Sequence, residues 1–199
     1  MLRVGITGGI GSGKTTVCQI FETMGINVYY ADDRAKYLIT HDSELKNEIV
    51  KVFGEKAYLH DGTYNRKYIA EKVFNDESLL QKLNAMVHPA VFKDAELWHR
   101  EHANDPYTLR EAALLFESGS YLSLDRILFV YCPKDIRLKR VMDRDEVTAE
   151  EVQKRMAKQW NDDKKRRLSD DIIYNDGSQS LIRQAVRLHE QYLAMGIAH

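Results

Sequence analysis

Apolar and polar positions along the chain alternate between two patterns. Short apolar runs bounded by turn residues predict buried strands at residues 2–7, 27–30, 107–113, 127–132 and 171–174. Between them, apolar residues recur every three or four positions, as on one face of a helix. Val17, Ile20, Phe21 and Met24 predict a helix over 14–24 that Gly25 stops. Ala31-Asp32-Asp33 leads into a helical pattern through Leu38, and another over 43–53 ends at Gly54. His60-Asp61-Gly62-Thr63 reads as a turn. Residues 65–103 are helical, with breaks expected at Asn75-Asp76 and at His88-Pro89, since proline removes a helix donor. Few strands fit there, so residues 60–105 read as a helical insertion, closed by the turn Ala103-Asn104-Asp105-Pro106. Pro133-Lys134-Asp135 opens a helix running through Arg140. Thr148 starts another, with Glu150 and Glu151 complementing the dipole of its first turn. Residues 154–167 are densely charged. A turn over 175–178 precedes a final amphipathic helix with Leu181, Ile182, Ala185, Val186, His189 and Leu193 on one side.

Strands that alternate with helices imply right-handed crossovers and a parallel sheet, an α/β fold within one domain over 1–199. Ligands then gather at the carboxyl ends of the strands. That rule assembles the loop after the first strand, Asp32, the 111–117 segment and the region after Cys132 on one rim.

Composition changes this picture little. A hydrophobic fraction of 44%, a charged fraction of 30% and a net charge of −1 describe a globular chain without an overall basic field, which argues against nucleic acid as a partner. No apolar run approaches the ~18 residues of a membrane-spanning helix, and residues 2–6 are too short for a secretory signal. Cys18 and Cys132 lack metal-ligand spacing and are expected to be reduced, buried thiols of a cytoplasmic protein. The two histidines of His99-Arg100-Glu101-His102 have no evident third ligand, and an exposed helix face is the expected setting.

The chemistry concentrates in Gly8-Gly9-Ile10-Gly11-Ser12-Gly13-Lys14-Thr15, which fits G-x-x-x-x-G-K-[ST] and lies between the first strand and the first helix. Glycines let successive N–H groups turn inward as a nest for phosphate oxygens. Lys14 can reach the β- and γ-phosphates, the Thr15 hydroxyl can ligate Mg²⁺, and the helix start aims its positive dipole end at the same anion. A nucleoside triphosphate is therefore expected. The D-x-x-G and N-K-x-D strings of a switch GTPase do not occur. A small-molecule kinase fits the length, the helical insertion and an arginine-bearing lid. Asp32 could orient and deprotonate an acceptor hydroxyl or simply cap the following helix. Arg137, Arg140 and Arg144, at i, i+3 and i+7, could present one face to a transferring phosphate or remain a solvated charged face. His88 could point into an acceptor cleft or cap the helix before Pro89. A slow ATP-hydrolysing regulatory protein is the alternative outside the kinases.

The ordered set of Thr7 to Thr16, Ala31-Asp32, Asp61-Gly62, Asn65-Arg66, Leu83-Asn84, His88-Pro89, Leu114-Leu115-Phe116-Glu117, Arg140, Arg144-Asp145, Gln159 and 171–177 resembles the dephospho-coenzyme A kinase family over nearly the whole chain. The resemblance implies a nucleoside/nucleotide-kinase-like three-layer sandwich with a five-stranded parallel sheet, a helical acceptor region and a lid over roughly 137–167. It implies ATP-dependent phosphorylation of the ribose 3′-hydroxyl of dephospho-coenzyme A, with ATP and Mg²⁺. The catalytic residues it implies are Asp32 as base, Lys14, and Arg140 in the lid. Gly9, Gly11, Ser12, Gly13, Lys14, Thr15, Thr16 and Arg144 fall on the nucleotide, and Arg66, His88 and Asp32 on the acceptor. A small-molecule substrate, no membrane partner and a monomer are expected, with a small homo-oligomer as the alternative. Two positions depart from the family pattern. Tyr30 stands where an acid is frequent, and Ala113 replaces a proline, with Glu111 as the acid two residues before it.

Overall fold

The computed structural model describes residues 1–74 and 76–197 (Ile197 by its backbone), so Asn75 of the first expected break lies outside them. The chain divides into two compact units: Met1–Tyr30 with His99–His199, and Ala31–Trp98.

The first unit holds the sheet. Its strands are β1 (Leu2–Thr7), β2 (Val28–Tyr30), β3 (Tyr107–Glu111), β4 (Arg126–Tyr131) and β5 (Asp171–Tyr174). They lie in the order β2-β3-β1-β4-β5, and every pairing is parallel. All five expected strands exist, with ends within two residues of the expected ones. Leu2, Val4 and Ile6 alternate along β1 and face the same way as Tyr107, Leu109, Leu128, Val130 and Ile173. Helices α1 (Lys14–Thr23) and α9 (Leu181–Ile197) cover this face with Val17, Cys18, Phe21, Ala185, Leu188 and Tyr192. Phe21, Tyr107 and Tyr192 meet edge-to-face and stacked, and the Tyr107 hydroxyl lies 2.6 Å from His189 Nδ1. The buried stripe of α9 differs from the expected one, because Ile182 and Val186 face solvent while Gln184 turns inward. The Gln184 carboxamide accepts from Tyr174 N–H (2.8 Å) and donates to Tyr174 C=O (2.9 Å), which fixes the rotation of the helix on the edge strand.

β1 lies at the centre of the sheet, where the strand order switches from the β3 side to the β4 side. Its carboxyl end is therefore the crevice where an open α/β sheet receives ligands. Helices α6 (Lys134–Asp145), α7 (Ala149–Ala157) and α8 (Asp162–Arg167) follow β4. Thr148 and Glu151 form a capping box at the start of α7.

The second unit is helical: α2 (Ala31–His41), α3 (Ser43–Phe53), a 3-10 turn (Glu55–Ala57), α4 (Arg66–Phe74) and most of α5 (Glu77–Glu101). Asp42 caps α3 by accepting from Leu45 N–H at 3.0 Å, and Gly54 ends it at φ +82°. Arg34 forks onto Asp94 at 2.8 and 2.6 Å, tying α2 to α5. The expected break at His88-Pro89 does not occur, and α5 runs through Pro89. A proline inside a helix costs about 3 kcal/mol. The helix survives because the turns on either side of it are anchored: Val87, Val91 and Ala95 are buried on one face.

Candidate nucleotide site

The loop between β1 and α1 has the form its sequence requires. Gly11 (φ +79°) and Gly13 (φ +91°) occupy the left-handed region, where a side chain would be strained. Ser12 N–H donates to Gly9 C=O (3.0 Å), closing a turn, and Gly13 precedes the first residue of α1. Thr15 and Thr16 are exposed in the first turn of that helix, beside its donor-rich end. Lys14 is buried against the loop. Its Nζ donates to Gly8 C=O at 3.1 Å and lies 3.8 Å from the Glu111 carboxylate at the end of β3. The ammonium is thus held in place by groups of the loop and the neighbouring strand. Ser12 Oγ and Thr7 Oγ1 are buried with no hydrogen-bond partner among the described residues. An unpaired hydroxyl in the glycine loop and another on the last residue of the strand that enters it fit a phosphate-bearing ligand at the helix start.

Three side chains from the segments that follow β4 and β5 brace this loop. Asn175, the first residue beyond β5, donates from Nδ2 to Ser12 C=O at 2.7 Å. Arg137 on α6 packs against Gly9, donates from Nε to Cys132 C=O at 2.9 Å and pairs with Asp162. Gln159 accepts the Ile10 N–H at 2.9 Å. The sequence pattern left Asn175 and Gln159 without a role, since neither belongs to a phosphate-loop motif. Asn175's place one residue past a predicted strand end, where the parallel-sheet rule gathers ligand loops, was the signal available.

The arginines of α6 have three different settings. Arg137 is 5% exposed and is part of the wall, so it does not belong to a solvated face. Arg140 is exposed, with Nη1 3.4 Å from Cys132 Sγ and facing the Gly13 side of the loop. Arg144 is exposed and forks onto Asp145 (2.7 and 3.3 Å), which also receives Arg155 (2.8 Å). Within the charged 154–167 segment the other lysines and arginines are exposed, but Lys165 is fully buried and pairs with Glu117 at 2.7 Å. His99 likewise is fully buried rather than on an exposed face, with Nδ1 3.1 Å from Thr108 Oγ1. Cys18 and Cys132 are free and buried, and burial pushes both thiols above their ordinary range. Among the described residues no group of three or more His, Cys, Asp or Glu could hold a metal ion, and no helix is long and apolar enough to cross a membrane.

Asp32, Arg66 and His88 belong to the helical unit. Asp32 is the second residue of α2, two positions past the carboxyl end of β2. Its side chain is exposed and makes no hydrogen bond among the described residues, so it does not cap the helix. Asp33 instead pairs with Lys36 at 2.6 Å. Arg66 opens α4, and His88 is exposed in the middle of α5.

The family model described as dephospho-CoA kinase matches residues 2–180. The chain belongs to the dephospho-CoA kinase family. A dephospho-CoA kinase of Salinibacter ruber is 40% identical over 92% of this chain and 94% of its own length. One from Escherichia coli K12 is 36% identical over 96% and 93%. Among solved structures, a Thermus thermophilus protein superposes with a TM-score of 0.80 at 31% identity, covering 96% of each chain. A dephospho-CoA kinase from Campylobacter jejuni gives 0.74 at 25% identity, covering 97% and 98%. A shikimate kinase from Aquifex aeolicus, at 14% identity and a TM-score of 0.53 over 99% and 98% of the two chains, shares the fold. The phosphate loop of this chain sits at the switch point of its five-stranded parallel sheet.

Proposed function

We propose that this chain transfers the γ-phosphoryl group of ATP to the ribose 3′-hydroxyl of dephospho-coenzyme A, giving coenzyme A and ADP, the last step of coenzyme A synthesis. The family match over residues 2–180 carries this reading. The formed phosphate loop, with its lysine already seated, supports it.

Such a transfer asks little covalent help, so positioning and charge are the protein's main contributions. In this reading Gly9, Gly11, Ser12, Gly13 and Thr16 receive the triphosphate. Lys14 neutralises charge as the phosphoryl group leaves. The Thr15 hydroxyl would ligate the Mg²⁺ that accompanies the nucleotide, and Glu111 would hold its water shell. Asp32 orients the acceptor hydroxyl and takes its proton. Arg140, and Arg144 once released from Asp145, close over the transferring group from the 137–167 lid. Arg66 and His88 meet the acceptor. The enzyme acts as a cytoplasmic monomer on a small molecule.

ADP release from Mg-ATP, with and without dephospho-coenzyme A, tests the assignment when the product's mass is read as well. Strong stimulation and a product heavier by one phosphoryl group are expected. Bound ATP with no stimulation would discard the acceptor.

A further inference from the structure

One carboxamide lies between two walls of the nucleotide site. Gln159, in the turn between α7 and α8, accepts the Ile10 N–H through Oε1 (2.9 Å) and donates through Nε2 to Ala113 C=O (3.3 Å). The chemistry of the partners fixes the orientation, since an N–H needs the oxygen and a carbonyl needs the nitrogen. Ile10 lies on the turn of the phosphate loop, and Ala113 lies two residues beyond β3, the strand that ends in Glu111.

Buried groups hold the turn that carries Gln159. Trp160 N–H donates to Glu117 Oε1 at 2.7 Å, and the Trp160 ring stacks on Phe116 with centroids 6.3 Å apart. Lys165, fully buried, pairs with the same carboxylate and also reaches Ala113 C=O at 3.4 Å. Asp162 pairs with Arg137, which packs against Gly9. The α7–α8 turn is therefore fastened to the segment after β3 and to α6, and Gln159 is its bond to the loop backbone.

We propose that Gln159 is a positioning residue for phosphoryl transfer: it sets the height of Ile10 above the triphosphate seat and makes the α7–α8 turn follow the state of the loop. The transfer half of this rests on the kinase reading above. A side chain with an oxygen and an N–H on one rigid plane is required, because either bond alone leaves the loop turn free to shift against Ala113. A misplacement of about 1 Å at a reacting centre costs up to about 100-fold in rate.

The test uses Trp160 as reporter. The chain has two tryptophans, so Trp98→Phe leaves only Trp160. In that background Mg-ADP should change Trp160 emission. Gln159→Met keeps the length and loses both bonds. It should bind Mg-ADP within about threefold by equilibrium dialysis, lose most of the emission change, and lower kcat with dephospho-coenzyme A by roughly 10-fold or more while KM for ATP moves little. Gln159→Glu keeps the acceptor for Ile10 and loses the donor to Ala113. It should fall between the two, and it carries the same test if Gln159→Met does not fold. An unchanged kcat, an emission response equal to that of the parent, no response in the parent, or a loss of ADP affinity that matches the loss of rate would each overturn the proposal. The emission arm needs no acceptor. If the parent fails to phosphorylate dephospho-coenzyme A, the functional reading fails alone and the emission arm still decides whether Gln159 couples the loop to the turn.

Discussion

Asp32 illustrates how far one residue can be read. Its sequence position allowed a helix cap or a base, and the structure removes the cap, because the side chain makes no bond to the first turn of α2 among the described residues. Asp32→Asn should lower kcat by roughly 100-fold or more with ATP affinity nearly intact; turnover within a few-fold of the parent in steady-state assays would refute the base role. Arg140 faces the loop from α6 with an exposed guanidinium. Arg140→Ala should slow transfer by about 100-fold and change KM for dephospho-coenzyme A far less; equal losses in both would make it a binding residue. His99 shows what sequence patterning misses. Burial, with help from the positive charges of Arg3 and Arg110 and against the opposing Asp125, pushes its pKa down to about 4 from an ordinary 6.5. The fold holds the ring neutral, so its contribution is fully present above pH 6.5 and erodes as pH falls towards 4. About 2 kcal/mol should be lost by pH 5. Urea unfolding at pH 7 and pH 5 should show a smaller drop for His99→Gln than for the parent, and equal drops would contradict this account.

At the scale of elements, local periodicity located the strands and most helix starts because turn residues and caps are short-range devices. Gly25 and Gly54 end helices and Thr148 starts one as expected, and Thr148 does so through a capping box with Glu151. Where local and tertiary preferences disagreed, packing decided. Pro89 argues for a break, yet the anchored turns around it carry α5 through. On α9, Ile182 and Val186 look like core residues, yet the Gln184 bond to β5 rotates them to solvent. The far end of α9 is held by size: a Cβ on Gly196 would collide with the Pro106 carbonyl ahead of β3. Gly196→Ala should cost about 1–3 kcal/mol despite alanine's better helix propensity. Calorimetry should record a Tm lower by roughly 2–12 °C, and a rise would show that the helix end is loose enough to move away.

For the whole molecule, ligand and stability are linked through the loop. Mg-ADP at 100 times its Kd should stabilise the folded state by about 2.7 kcal/mol. Lys14→Ala should abolish that thermal shift at the same concentration and abolish transfer, and a retained shift with near-normal activity would sink the phosphate-loop assignment. The sequence by itself determined the α/β class, the nucleotide loop and the family, because these depend on strand–helix alternation and on contiguous or ordered residues. Tertiary structure alone decided which charged residues are buried and what braces the loop. No local pattern marks the partners of Arg137, Glu117, Gln159, Lys165 and Asn175, which span residues 117 to 175 of the chain. Their partners are backbone groups and opposite charges that only the strand order β2-β3-β1-β4-β5 brings together.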